Sequence, residues 1–146
     1  MYKYKILSII YPILFRIMHF RRFRARYCRF GPSQIKLGQK SMIASGSIIK
    51  MIQGAKLDIG EDCYIGEYAN IRCDQQITIG NNVHIGQFVT LTDADYTFGG
   101  QINFSSRNVS KILIGRNSFI GSHCCILRGS ELSQDSVIPA LTKVTR

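Results

Sequence analysis

The sequence predicts a mainly β protein in which short parallel strands wind into a solenoid of about five coils. Aliphatic residues recur at every sixth position in runs that begin at Ile59, Ile79 and Ile114, and glycine directly follows six of them. A period of six fits neither an α-helix nor simple strand alternation. It fits a triangular coil in which each strand sends one aliphatic side chain to the axis. Such coils must stack, about 4.8 Å apart, because no coil can bury its apolar side chains alone.

The phase of this repeat divides the chain into a basic amphipathic segment, residues 1–34, and a β-helix domain, residues 35–146. Twenty-two residues separate Leu91 from Ile114, where one further coil position needs about five. We therefore expect residues 93–111 to leave the stack as a protruding loop. Long loops on a regular scaffold commonly carry function.

The first 57 residues carry 12 Lys or Arg and no Asp or Glu, within a net charge of +10 for the chain. An apolar stripe flanked by arginines predicts an amphipathic helix from Pro12 to Tyr27 that lies on an anionic membrane. Residues 1–30 would make this contact from the cytoplasmic side, because Arg21 to Arg29 oppose translocation. The alternative is packing against the solenoid or a neighbouring subunit. Nucleic acid is a weaker option, because no binding motif accompanies the arginines.

The five cysteines lack the paired spacing of a zinc site, and their number is odd. They are expected to be free thiols in a reducing cytoplasm. We expect no bound metal.

Three stretches of sequence carry a family resemblance: Ile77 to Leu91, Ile112 to Gly129 and Val137 to Arg146. The chain resembles the hexapeptide-repeat acyltransferases, in the branch that includes galactoside, maltose and capsular or O-antigen O-acetyltransferases. The similarity covers residues 57–146, and more weakly 35–56. It implies a left-handed coil, a homotrimer, acetyl-CoA as the acyl donor and a sugar hydroxyl as the acceptor.

In these relatives the general base is a His at the start of the protruding loop. Here that His would fall at Ala94, Tyr96 or Thr97, so another group must take the proton. An ordinary carboxylate titrates near pH 4 and a phenol near pH 10, and both are poorly matched to this task at neutral pH. The candidate catalytic residues are His84, Asp93, Asp95 and Tyr96, with His123 as a weaker alternative.

The resemblance also assigns binding residues. Asn70 and Asp74 match an acceptor-site Asn and Asp. For acetyl-CoA, Phe119 replaces a Trp that flanks the thioester, and Lys143 matches a Lys near the phosphates. Ser122 and Ala140 leave room for the pantetheine arm.

These observations predict an O-acetyltransferase of surface polysaccharide (O-antigen or capsule) biosynthesis, cytoplasmic and peripheral on the inner face of the cytoplasmic membrane. The alternative is a catalytically impaired or non-catalytic trimeric relative with a structural or binding role. The missing loop His favours this alternative. So does the end at Arg146, before a strand and turn that relatives use to close the coenzyme site. A γ-class carbonic anhydrase relative is disfavoured, because its metal needs three His and one of the three in this chain, His19, lies outside the coils.

Overall fold

The computed structural model describes residues 25–29, 31–98 and 101–146 as a parallel β-solenoid with three faces, without a helix in these residues. The first face contains β2 Gln34–Leu37, β5 Lys56–Ile59, β8 Gln76–Ile79, β13 Ile112–Ile114 and β16 Glu131–Leu132. The second contains β3 Met42–Ile43, β6 Tyr64–Ile65, β9 His84–Ile85, β14 Phe119–Ile120 and β17 Val137–Ile138. The third contains β1 Arg26–Arg29, β4 Ile48–Met51, β7 Asn70–Cys73, β10 Thr90–Thr92, β15 Cys125–Leu127 and β18 Lys143–Val144.

Aliphatic residues of the six-residue repeat fill the axis of the solenoid. On the second face, Ile43, Ile65, Ile85 and Ile120 lie in register in successive coils and are almost fully buried. The corresponding residues of the last coil, Leu132, Ile138 and Val144, are only partly buried. The predicted parallel β-solenoid of about five coils is therefore confirmed, with an apolar core that runs along its axis.

Two corners of the solenoid place non-glycine residues at positive φ. The corner between the first and second faces is polar: the Asn82 side-chain amide donates to Asn117, and Asn117 donates to Asp135, both at 3.1 Å. The corner between the second and third faces carries bulky residues instead, namely Tyr68, Phe88, His123 and Leu141. Aromatic side chains are uncommon in this conformation. This second corner, called the aromatic corner below, is therefore a chemically distinct edge of the solenoid.

Glycines let adjacent coils approach closely. A Cβ atom built on Gly121 would lie 2.4 Å from the backbone nitrogen of Ala140 in the next coil. We expect Gly121→Ala to lower the free energy of unfolding by about 2 kcal/mol, because the backbones must separate to accept the methyl group. Urea unfolding measures this loss. Glu131→Ala, at an exposed site, should change the free energy by less than about 0.5 kcal/mol. Equal stability of Gly121→Ala and the unmodified protein would contradict the close packing.

The region of residues 93–111 leaves the stack as predicted and forms an antiparallel hairpin. Its strands are β11 Ala94–Phe98 and β12 Ile102–Val109, with a register shift between Tyr96 and Thr97. The ladder of the third face continues past this insertion, because β10 pairs directly with β15. The hairpin is thus an addition to one edge of a regular coil.

Most of the helix predicted for Pro12 to Tyr27 lies outside the described residues. Its last two residues, Arg26 and Tyr27, belong instead to β1, which pairs in parallel with β4. The Tyr27 hydroxyl lies 3.1 Å from Ser33 Oγ, and its ring packs against the core. The helical expectation is wrong at these two residues, because strand pairing and core contact outweigh the local pattern. The third face accordingly begins at residue 26. Within the described part of the chain, no helix is long and apolar enough to cross a membrane.

Candidate functional site

Asp93 fastens the hairpin to the preceding coil. Its Oδ1 accepts a hydrogen bond from the amide of Asp74 at 2.7 Å. Its Oδ2 accepts from the amides of Gln75 at 2.7 Å and Gln76 at 2.8 Å. The residue is fully buried, and this burial raises the pKa of the Asp93 carboxyl above its ordinary value, against the opposing effect of the three amides. Because both oxygens are occupied and inaccessible, the geometry gives Asp93 an architectural role and argues against one as the general base.

Asp74 lies beside Asp93 and holds two arginines. Its carboxylate accepts from Arg107 Nη1 at 2.7 Å, and from Arg72 Nε at 3.2 Å and Nη2 at 3.3 Å. The Asp74 side chain is only 2% exposed. The hydrogen bond to Asp74 is the main cause of a raised pKa for Arg72. Asp74 therefore positions two guanidinium groups. The expected acceptor-binding role would need carboxylate oxygens that are open to a sugar hydroxyl, and those of Asp74 are not.

A cleft of about 360 Å³ opens beside this cluster. It is lined by Lys50, Met51, Ile52, Arg72, Asp74 and Arg107. Arg72 also lies over the face of the Tyr96 ring, with Cζ 5.7 Å from the ring centroid. The sequence reasoning missed Lys50, Arg72 and Arg107. The available signal was the spacing of Arg72 two residues before Asp74, which puts Arg72 in the last two residues of β7 and Asp74 directly after that strand.

Of the remaining hairpin candidates, Tyr96 contacts a residue that lines the cleft, and Asp95 pairs with Arg128. Asp95 is exposed and accepts a hydrogen bond from Arg128 Nε at 2.6 Å. Tyr96 is also exposed, in strand β11. Asn70 lies exposed on the third face, in register between Ile48 and Thr90. The structure therefore groups the predicted residues Asn70, Asp74, Asp93, Asp95 and Tyr96 around the third face and the hairpin.

His84 lies on a different face. It is exposed on the second face, between the rings of Tyr64 and Phe119, with centroid distances of 4.9 Å and 5.5 Å. His123 stacks on Phe88 at the aromatic corner, at 4.9 Å. Within one copy of the chain, the imidazole of His84 and the Asp74 cleft therefore belong to two different faces of the coil.

The residues predicted to bind acetyl-CoA follow one edge of the solenoid. Phe119 is exposed on the second face, and Ser122 and Ala140 lie at the aromatic corner. Lys143 begins β18 on the third face, in register with Cys125. A long ligand that contacts all four residues would have to cross the aromatic corner from one face to the other.

The described residues contain no group of three or more His, Cys, Asp or Glu side chains that could hold a metal ion. Cys63, Cys73, Cys124 and Cys125 are free thiols, and only Cys125 among them is exposed. Burial and the nearby Asp93 carboxylate raise the pKa of the Cys73 thiol far above its ordinary value. Cys73 therefore stays a neutral core residue.

Comparisons with known proteins agree with this architecture. A family model described as the hexapeptide repeat of succinyl-transferase matches residues 111–140. Galactoside O-acetyltransferase from Escherichia coli is 34% identical over 94 residues, which cover 64% of this chain and 46% of that protein. The bifunctional protein GlmU of Streptococcus uberis is 24% identical over 135 residues, which cover 76% of this chain and 28% of that protein. The chain thus spans less than half the length of these two relatives.

A solved structure has the same fold. It is a variant of AntD, an N-acyltransferase from Bacillus cereus, in complex with dTDP and coenzyme A. The TM-score is 0.73 at 16% identity, over 91% of this chain and 77% of that one. The repeat and the coil together define a hexapeptide-repeat protein. In sequence, the chain is similar to acyltransferases of the hexapeptide-repeat type.

Proposed function

We propose that this protein is an O-acetyltransferase that moves an acetyl group from acetyl-CoA to a sugar hydroxyl during the assembly of a surface polysaccharide such as O-antigen or capsule. The observation that carries the proposal is the 34% identity with galactoside O-acetyltransferase. The paired arginines and the exposed Tyr96 beside a cleft supply groups of the kind that bind sugars and their charged substituents.

A homotrimer is part of this proposal. His84 and the Asp74 cleft lie on different faces of one chain, so a site that uses both requires a second copy. The second face and the aromatic corner also expose large apolar side chains, which favours burial against another subunit. These side chains are Tyr68, Phe88, Phe119, Val137 and Leu141.

His84 is the proposed general base. Asp93 is inaccessible, and Asp95 is paired with Arg128. In the part of the chain that the structure describes, the His84 imidazole stacks on two rings but has no hydrogen-bond partner. Its nitrogen would take the proton of the acceptor hydroxyl while that oxygen attacks the thioester carbonyl. The C–S bond then breaks, acetyl remains on the sugar oxygen, and coenzyme A leaves as the thiol once it regains a proton.

The basic N-terminal segment is proposed to hold the enzyme on the cytoplasmic face of the membrane. Residues 1–30 combine apolar residues with Lys and Arg and contain no acidic residue. Attraction to anionic lipid is the physical basis of this proposal, and lipid-linked saccharides at that surface would then be close at hand. Co-sedimentation with anionic and neutral vesicles tests it: equal binding to both would contradict an electrostatic anchor.

The function is tested by binding and turnover in one preparation. Acetyl-CoA is titrated into the protein by calorimetry, and free thiol release is then followed with a panel of sugar acceptors. Binding followed by acceptor-dependent thiol release supports the acetyltransferase. Binding without release favours the second candidate, a non-catalytic trimeric relative, which the absence of a His at Ala94, Tyr96 and Thr97 already favours. Absence of binding would contradict the acetyltransferase.

A further inference from the structure

The cleft on the third face has an excess of positive charge. Lys50, Arg72 and Arg107 line it, and Asp74 is the one carboxylate among its lining residues. Cations in a cleft with low-dielectric walls raise the local concentration of anions. This arrangement differs from a scattered basic surface, because the three cations line one cleft, which is partly open to solvent.

The two arginines are fixed in place before any ligand binds. Their side chains are only 32% and 31% exposed, and both are hydrogen-bonded to the buried Asp74 carboxylate. Each guanidinium has five N–H donors, and the contacts with Asp74 use only some of them. Fixed guanidinium donors match the geometry of phosphate and carboxylate oxygens, and they lose little entropy when they bind them.

Lys50 completes the cleft. It is exposed on β4, in register with Arg72 on β7. No described carboxylate forms an ion pair with it, unlike the two arginines. The volume of about 360 Å³ is at the lower end of the range for small-molecule sites.

We infer that this cleft binds an oxyanion carried by the acceptor, so that the substrate is an acidic saccharide rather than a neutral sugar. The bound oxyanion is a phosphate or a carboxylate group attached to a sugar. The assignment to the acceptor rests on the proposed acetyltransferase function. Recognition of the anion itself depends only on Lys50, Arg72 and Arg107.

Calorimetry on the full chain tests the inference, with glucose, glucose 1-phosphate and glucuronic acid as probes at one fixed ionic strength. At least one anionic probe should bind about tenfold or more tightly than glucose. A preference for glucose 1-phosphate identifies a phosphate-bearing acceptor, and a preference for glucuronic acid identifies a carboxylate. Equal affinity for all three probes would overturn the inference.

A matched pair of variants separates a specific site from the general basicity of the chain. Lys50→Gln should weaken binding of the preferred anion by about three- to tenfold and leave acetyl-CoA binding unchanged. Lys36→Gln removes the same charge from the first face, and should change neither affinity. Equal losses in both variants would overturn the inference in favour of non-specific attraction.

The outcome also separates this inference from the proposed function. Selective anion binding without thiol release supports anion recognition by the cleft and contradicts the proposed acetyltransferase activity. Thiol release with neutral sugars, without preference for the anionic ones, supports the proposed acetyltransferase activity and contradicts anion recognition by the cleft.

Discussion

Asp93→Ala is expected to lower the free energy of unfolding by about 3 kcal/mol. The change removes the acceptor of three amide hydrogens, from Asp74, Gln75 and Gln76. A buried donor without a partner costs about 1–3 kcal/mol. The amides of Gln75 and Gln76 are only partly buried, so they recover part of this free energy by hydrogen bonding to water. Urea unfolding followed by circular dichroism measures the difference, with an unchanged slope as the sign that the same surface unfolds.

Two further variants test this explanation. Asp93→Asn keeps the shape but directs an amide group toward N–H donors, so it should recover little of the lost stability. Asp95→Ala removes the other carboxylate of the same loop. Its exposed pairing with Arg128 is expected to contribute about 1 kcal/mol or less. Similar losses for Asp93→Ala and Asp95→Ala would show that the three amide contacts do not hold the hairpin.

His84→Phe is expected to lower kcat by about 10²- to 10⁴-fold, the range typical for loss of a positioned general base. Phenylalanine preserves an aromatic ring between Tyr64 and Phe119, so the stack and the fold should persist. The KM for acetyl-CoA should change little, because the proton acceptor acts on the hydroxyl. Steady-state measurement of thiol release, with both substrates varied, separates these two constants.

His123→Phe is the control for this experiment. His123 is also exposed and stacked on an aromatic ring, but it lies at the aromatic corner, where its ring contacts Phe88. Its replacement should leave kcat within about threefold of the unmodified enzyme. An unchanged kcat in His84→Phe would refute the assignment of His84 as the general base and favour a base in the hairpin.

The solenoid was predictable because its signal is local and repeated. The sixth-position aliphatic residues from Ile43 to Ile126 are buried along the axis, so the pattern alone identifies these core side chains. The surplus of residues before Ile114 located the hairpin for the same reason. Strand β1 was not predictable in this way. Its sequence, Arg26 to Arg29, continues a cationic helical pattern, and only pairing with β4 makes it a strand.

The site was less predictable, because its decisive contacts link distant parts of the sequence. Resemblance selected Asp74, but its ion pair with Arg107 joins residues 33 positions apart and depends on how the hairpin folds back. In the sequence, Asp93 resembles any polar loop residue. Its side chain points inward because it accepts hydrogen bonds from backbone amides, and these amides carry no sequence signature. Cations brought together by tertiary structure, such as Lys50 and Arg107, leave no motif.

The two ends of the hairpin insertion are hydrogen-bonded to each other where they join the solenoid, and this has an evolutionary consequence. The amide of Ser110 donates to the carbonyl oxygen of Asp93 at 2.9 Å, so the chain leaves and re-enters the solenoid at nearly one point. The coils before and after the insertion pair as though it were absent. The segment between these two residues can therefore change in sequence or length during evolution without disturbing the coil pairing that keeps the protein folded.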